Sequence, residues 1–378
     1  MGRLAEHDGF ETGGADFWKS VVGSPTFVVG AAHTGGYGMR CNPISSSMYV
    51  ESPAVNLICK VSFYIYIVDL PDSDTAIFGS SDMNQLILTT TGEIDLYNGG
   101  AKVEDGTTQL DTGTWYRISA GVLKGAPKTT TVWIDGNEEY SFDVAGNVGF
   151  AELGYSPLYF GIIDSCTADV YFDDYAAESL AGLIDIGDIR TLAARPVGEG
   201  TDHDKYSDDA QGWALTANNA DAVYTEIDDE PFNSATFDIS TGDAGTHRYS
   251  VTMDECGSGN LAGIGGSDTI EAVNFIWFYQ TGAGGADDYG VRTYDQGVPI
   301  SNDNIDDPKV CTALQQYHFW CPSDTDAWTQ TNFNTVEMGM ATISSGGKYM
   351  SWCEAYAMVA FKVAGVSALS VNVFDSIG

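Results

Sequence analysis

A chain of 378 residues, 43% hydrophobic and 12% aromatic, holds enough apolar material for two domains of ordinary size, and its 44 glycines keep no collagen period. A formal net charge of −37 repels phosphate backbones and anionic membrane surfaces, which argues against a nucleic-acid or membrane-surface partner. No apolar run approaches the roughly 20 residues of a spanning helix, so no helical membrane insertion is expected.

The chain opens polar and acidic through Asp8, where a secretory leader would have an apolar core, and no N-x-[ST] sequon occurs. The first phrase, "AEHDGFETGG" (Ala5–Gly14), is echoed by "DVYFDDYAAES" (Asp169–Ser179). Between them nearly every segment reads as strand. "LICKVSFYIYIV" (Leu57–Val68) is rich in β-branched and aromatic residues. "DTAIFGS", "NQLILTTTGEIDLYN", "TWYRISAGVL", "TTTVWIDGNEEYSFDV", "SPLYFGIID" and "ADVYFDDYAAES" follow. Thr91-Gly92, Asn98-Gly99-Gly100 and Asp135-Gly136 fall between them as hairpin turns. Short strands with regular turns predict a β-sandwich over residues 1–182.

Residues 183–200 end in Pro and Gly and are expected to link two domains. Strand-like runs then resume over 201–378: "AVYTEI", "SATFDIST", "HRYSVTM", "EAVNFIWFYQ", "DYGVRTYD", "QQYHFWC", "NTVEMGMATIS" and "YMSWCEAYAMVAF", with one helical turn in "TNFNTVEMG". The fold class expected is all-β, two sandwiches of jelly-roll type. The apolar stretch Val363–Phe374 is expected to dock, either as a strand of its own domain or against a neighbour.

Three motifs in the first half resemble the concanavalin A-like lectin/glucanase superfamily, near its laminin-G-like forms. They are "TGTWYRISAG" (Thr112–Gly121), "TVWIDGNEEYSF" (Thr131–Phe142) and "LYFGIIDSCTADVYFDDYAAES" (Leu158–Ser179). The resemblance implies that the first and last strands lie side by side, which would explain the echo: Phe10 and Tyr175 would sit on antiparallel neighbours. "DGFETG" (Asp8–Gly13) with "HTGGYGMR" (His33–Arg40), and later "IGDIRTLAARPVGEG", "WALTANNADAVYTEIDDE" and "DAWTQTNFNTVEMGM", resemble structural proteins of tailed phages that attach a second sandwich to the first.

Candidate chemistry is sparse. Laminarinase-type hydrolases of that superfamily carry E-[IL]-D-x-x-E on one strand, where alternation places two carboxylates about 5–5.5 Å apart. In "GEIDLYNG" Glu93 and Asp95 match, but Tyr97 and Asn98 stand where the acid/base belongs, so hydrolase activity is not expected. None of the five histidines forms HExxH or HxH, and no GxSxG elbow occurs. Calcium, a hard cation that prefers oxygen ligands, has candidate ligands in Asp202, Asp204, Asp208 and Asp209. Asp228-Asp229-Glu230 and Asp303/Asp306/Asp307 form similar acidic loops; the alternative for all three is a solvated surface. No other cofactor is indicated. The seven cysteines form no CxxC, which fits buried free thiols, with a Cys311–Cys321 bridge left open. Aromatic density at Phe275–Tyr279, Tyr317–Trp320, Trp328 and Trp352 fits core packing better than sugar platforms, because these residues alternate with apolar ones.

The function expected is that of a non-enzymatic virion structural protein of a tailed virus, displayed on the capsid or tail surface. Its partners would be other virion proteins, copies of itself and glycans of the host surface. The alternatives are a carbohydrate-binding module of a secreted protein and, behind it, a glycoside hydrolase.

Overall fold

The computed structural model describes residues 4–15, 17–52, 58–123, 128–143, 149–150, 157–179, 181–203, 213–215, 238–240, 247–281, 289–295, 298–299, 315–320, 328–342 and 350–364. The chain divides into two compact units. The first comprises Met1–Phe10, Phe17–Arg190 and Lys362–Gly378; the second comprises Glu11–Asp16 and Thr191–Phe361.

In the first unit the strands are β1 (Leu4–Asp8), β2 (Ser20–Val22), β3 (Thr26–Val28), β4 (Gly38–Cys41), β5 (Ser46–Glu51), β6 (Lys60–Asp69), β7 (Thr75–Gly79), β8 (Asn84–Leu88), β9 (Ile94–Asn98), β10 (Ala101–Glu104), β11 (Trp115–Leu123), β12 (Thr129–Ile134), β13 (Asn137–Asp143), β14 (Tyr159–Cys166) and β15 (Asp169–Glu178). They form two antiparallel sheets. Sheet A runs β13-β12-β11-β6-β15-β4-β3, with β1 also on β15; sheet B runs β10-β9-β8-β7-β14-β5-β2. The two strands latest in sequence, β14 and β15, lie inside the sheets, not at their edges.

Alternation makes the sandwich. In β6, Val61, Phe63, Ile65 and Ile67 are fully buried, while Tyr64 and Tyr66 point to the other face of sheet A. Phe63 meets Phe160 of sheet B edge-on at 5.1 Å between centroids, Phe160 meets Phe172 at 5.1 Å, and Phe63 meets Phe78 at 5.8 Å. These rings join the sheets through one dry core. The turns obey their residues: Asp135 (φ 51°) and Gly136 (φ 79°) close β12–β13, and Gly99 (56°) and Gly100 (76°) close β9–β10, the left-handed pairs of a two-residue hairpin.

The opening echo resolves into strand pairing with a shifted frame. β1 pairs antiparallel with β15, His7 opposite Ala176 and Asp8 opposite Tyr175. The paired phrase is therefore "LAEHD", and Phe10 lies two residues past it with φ 57°. Asp8 makes that corner: its carboxylate accepts from the Phe10 N–H at 2.8 Å and from the Trp18 indole N–H at 2.7 Å. Phe10 then turns into the core against Trp18, Phe27 and Phe160. Along its other flank β15 takes β6, with a bulge between Asp173 and Ala176 where Asp174 adopts φ 52°. The bulge falls between the stretch of β15 paired with β4 and the stretch paired with β1, so one strand receives two neighbours end to end.

The second unit holds β16 (Ile189–Ala194), β17 (Pro196–His203), β18 (Trp213–Leu215), β19 (Asp238–Ser240), β20 (His247–Met253), β21 (Thr269–Thr281), β22 (Tyr289–Asp295), β23 (Val298–Pro299), β24 (Gln315–Trp320), α1 (Gln330–Phe333), β25 (Val336–Thr342) and β26 (Met350–Lys362). One sheet runs β18-β19-β26-β21-β24, with β16 on β26; the other runs β17-β20-β25-β22-β23. Ala193, Ile276, Tyr356 and Met358 form a core cluster, and the Arg195 guanidinium lies 4.9 Å over the Tyr356 ring. The expected helical turn is α1, whose Thr329 hydroxyl accepts from the Asn332 N–H. Residues 183–200, expected as a linker, carry β16 and most of β17. "AVYTEI" lies outside the described residues.

Of the apolar tail, Val363 donates its N–H to the Asp188 carbonyl at 3.0 Å; residues 365–378 lie outside the described set. Among the described residues no helix is long and apolar enough to cross a membrane. Cys41 and Cys166 are buried free thiols, Cys59 is buried too, and burial pushes the Cys41 thiol up to about 12. Cys311 and Cys321 lie outside the described residues.

Candidate functional site

The face of sheet A turned away from the core is not an ordinary solvated surface. Pairing registers place Arg40 opposite Tyr171, Tyr171 opposite Tyr66 and Tyr66 opposite Trp115. One row of side chains thus crosses β4, β15, β6 and β11, and Thr26 of β3 extends it opposite Arg40. Strands lie about 4.8 Å apart, so the row from Thr26 to Trp115 spans roughly 19 Å. Tyr66 and Tyr171 stack at 5.4 Å with an interplanar angle of 18°. Trp115 tilts against Tyr66 at 5.4 Å. Tyr66, Tyr171 and Trp115 are each half-buried, so their rings are braced by neighbours yet still reach solvent. Arg40 lies 5.6 Å from the Tyr171 ring centre and grips Asp169 through two bonds of 2.9 and 2.6 Å. That carboxylate raises the Arg40 pKa and leaves this end of the row close to neutral.

Next to the row sits a histidine held by the β15 bulge. His33 Nδ1 lies 2.8 Å from Asp174, its backbone N–H donates to Asp173 at 2.7 Å, and the Thr34 N–H donates to the same oxygen at 3.0 Å. The imidazole stacks on Tyr64 at 3.6 Å and meets the edge of Trp115 at 5.3 Å. These bonds anchor the loop that carries "HTGGY" to the middle of sheet A.

Beyond it the face is closed by the segment 182–190. Arg117 holds Asp185 with two bonds of 2.7 Å, and Tyr64 donates to Asp188 at 2.8 Å. Arg190 also grips Asp188, at 3.1 and 3.0 Å, and the Ser62 hydroxyl donates to the Gly187 carbonyl. Burial would push Asp185 up, but the Arg117 bonds and charge hold it below the usual carboxylate range. Burial and the Asp188 charge drive the Tyr64 phenol well above its ordinary value. Tyr64 and Arg117 therefore serve this strap, while Arg40, Tyr171, Tyr66 and Trp115 of the row stay half-buried among the described residues.

The sequence candidates fall elsewhere. Glu93 precedes β9 and accepts from the hydroxyls of Thr89 and Thr91, which lower its pKa. Asp95, in β9, is buried, accepts from the Gly106 N–H at 2.8 Å and pairs with Lys102 at 2.7 Å. Both carboxylates are engaged in turns of sheet B. Asp202 is the penultimate residue of β17, with its side chain outside the description; Asp204, Asp208 and Asp209 lie outside the described residues altogether, as do the acidic groups at 228–230 and 303–307. Among the described residues no cluster of three or more His, Cys, Asp or Glu could hold a metal ion. Phe275, in β21, is buried and tilts against Trp328 at 6.1 Å, the packing role expected for it. The row itself is not marked by any single motif in the sequence. Its one local signal was the alternation in "SFYIYIV", which puts Tyr64 and Tyr66 on the face opposite Phe63 and Ile65.

The strands and sheets define an all-β protein of two sandwich units. No protein-family model matches the chain, and no curated protein matches it. Solved structures do. An endo-β-1,4-glucuronan lyase from the fungus Trichoderma reesei aligns at 10% identity over 48% of this chain and 98% of that one, with a TM-score of 0.36. Domain 4 of a GH43 extracellular arabinanase from Geobacillus stearothermophilus, solved with arabinotriose, aligns at 15% over 47% and 95%, TM-score 0.34. The binding domain of Paraclostridial Mosquitocidal Protein 1 aligns at 11% over 66% and 75%, TM-score 0.38. Matches this remote say nothing of what this chain binds.

Proposed function

We propose that the chain is a non-enzymatic glycan-binding display protein whose first unit holds sugar on the open face of sheet A. The observation that carries this reading is the half-buried row Arg40–Tyr171–Tyr66–Trp115. Aromatic faces bind the apolar faces of sugar rings, and a braced ring loses little entropy on binding. A row at strand spacing offers several such faces along one line. Glu93 and Asp95 each have structural partners, which supports binding without hydrolysis. Placement on the surface of a tailed-virus particle, on capsid or tail, rests on the sequence resemblance of "DGFETG" and "HTGGYGMR".

The test is titration of the full chain against a panel of neutral and acidic oligosaccharides. Tyr66→Ala, Tyr171→Ala and Trp115→Ala should each weaken binding about tenfold, near 1.4 kcal/mol. Absence of binding across the panel, or affinity unchanged in all three variants, would remove the proposal. Release of reducing ends from any bound glycan, lost in Glu93→Gln, would replace it with hydrolysis. Immunolabelling of purified particles tests the virion placement separately.

A further inference from the structure

The two lateral edges of the first sandwich differ in chemistry. On one side sheet A ends in β13 and sheet B in β10. These strands carry Glu138, Glu139, Asp143, Lys102 and Glu104, the charges with which proteins block edge-to-edge pairing. On the other side the sheets end in β3 and β2. Those strands, the turn between them and the 3-10 turn Val29–Ala31 that follows lie in one stretch, "SVVGSPTFVVGAA" (Ser20–Ala32), that contains no charged residue, in a chain where 53 of 378 residues are acidic. Val21 is 45% exposed, Val28 37% and Val29 67%. Among the described residues β3 pairs with β4 alone and β2 with β5 alone, so each strand keeps an open flank. The ion pair Lys19–Glu51 at the start of the strip is neutral as a unit.

We infer that this edge joins two copies of the chain, with β3 paired antiparallel to its own copy across a two-fold axis. The charge decides the occupant. At −37, two copies repel in any orientation that sets acidic surfaces together, and the uncharged strip is a place where they can meet without that cost. An isologous contact places the strip against itself, Val28 and Val29 near their own copies, with no charge buried. A cationic partner would gain more from the acidic edge at β10 and β13. The strands supply backbone bonds and the valines supply apolar area.

Sedimentation velocity and light scattering on the full chain test this. The expected mass is twice 40.4 kDa, with tighter association at about 0.5 M NaCl, where the Debye length falls to roughly 4 Å and repulsion between copies is screened. The double variant Val21→Lys/Val28→Lys should be a monomer, and Ala101→Lys on the charged edge should leave the dimer intact. A Val28→Cys variant should form a reducible cross-linked dimer on mild oxidation that the parent does not form, a readout independent of how the lysine variant folds. A parent that stays monomeric at both salts, a dimer that survives both lysines, or a Val28→Cys chain that does not cross-link above the parent would each overturn the inference.

Discussion

Two hydroxyls serve the buried carboxylate of Glu6: Ser52 donates at 2.7 Å and Tyr175 at 2.9 Å. Burial raises its pKa, and those two bonds offset the rise only in part. The native state therefore keeps a proton that the unfolded chain has already released above about 4.5. Stability contributed by the protonated form is present below that value and is lost as pH rises through the folded pKa. Glu6→Gln removes the titration, and either hydroxyl can accept from its amide. We expect the variant to melt above the parent at pH 7 and level with it near pH 4, measured by calorimetry. Tyr175→Phe should instead destabilise, by roughly 1–3 kcal/mol, because it strips a donor from a buried acceptor. None of this was legible from the terminal echo. The echo pointed to Phe10 and Tyr175, whereas the contact that seals the strands is Glu6 with Tyr175. A carboxylate in a strand reads as surface until register places it inward.

Among elements, the strap 182–190 depends on Arg117 and Asp185, whose side chains are 3% and 10% exposed. Arg117→Met would leave Asp185 without its cation and should cost about 3–5 kcal/mol, read as a fall in urea midpoint. The pH sense is opposite to that of Glu6. Arg117 depresses Asp185, so its contribution is full above the unfolded value of 3.8 and is lost as pH falls through the folded pKa. Gly79 is a second test: at φ 116° a Cβ would lie 2.2 Å from the Asn84 carbonyl oxygen, so Gly79→Ala should lower stability by about 2 kcal/mol or more. Strand identity in the first unit was written locally, in alternation and in pairs such as Asp135-Gly136. The strap was not. Residues 183–200 carry Gly and Pro and read as a linker, but Asp185 finds Arg117 68 positions upstream and Asp188 finds Tyr64 124 positions upstream. The row at Arg40, Tyr171, Tyr66 and Trp115 was hidden for the same reason, since only the pairing register aligns four distant segments.

At the scale of the whole molecule charge sets the response to salt. A chain at −37 resists its own compaction, so its melting temperature should rise between low salt and about 0.5 M NaCl as the repulsion is screened. A flat profile would mean that the acids are already offset locally. If copies join at β3, the two aromatic rows become one platform across the axis, and a long glycan would bind with avidity that a short one lacks. The order of the sheets has a further consequence, in time. β14 and β15 are the last strands of the first unit to leave the ribosome, yet both belong in the middle. Until they emerge, sheet A exists only as β13-β12-β11-β6 and a separate β4-β3, and sheet B only as β10-β9-β8-β7 and a separate β5-β2. At about 5–20 residues per second, β1 waits on the order of ten seconds or more for its partner. The nascent chain must hold four half-sheets apart through that interval, including the uncharged strip Ser20–Ala32, before a single late arrival closes both layers at once.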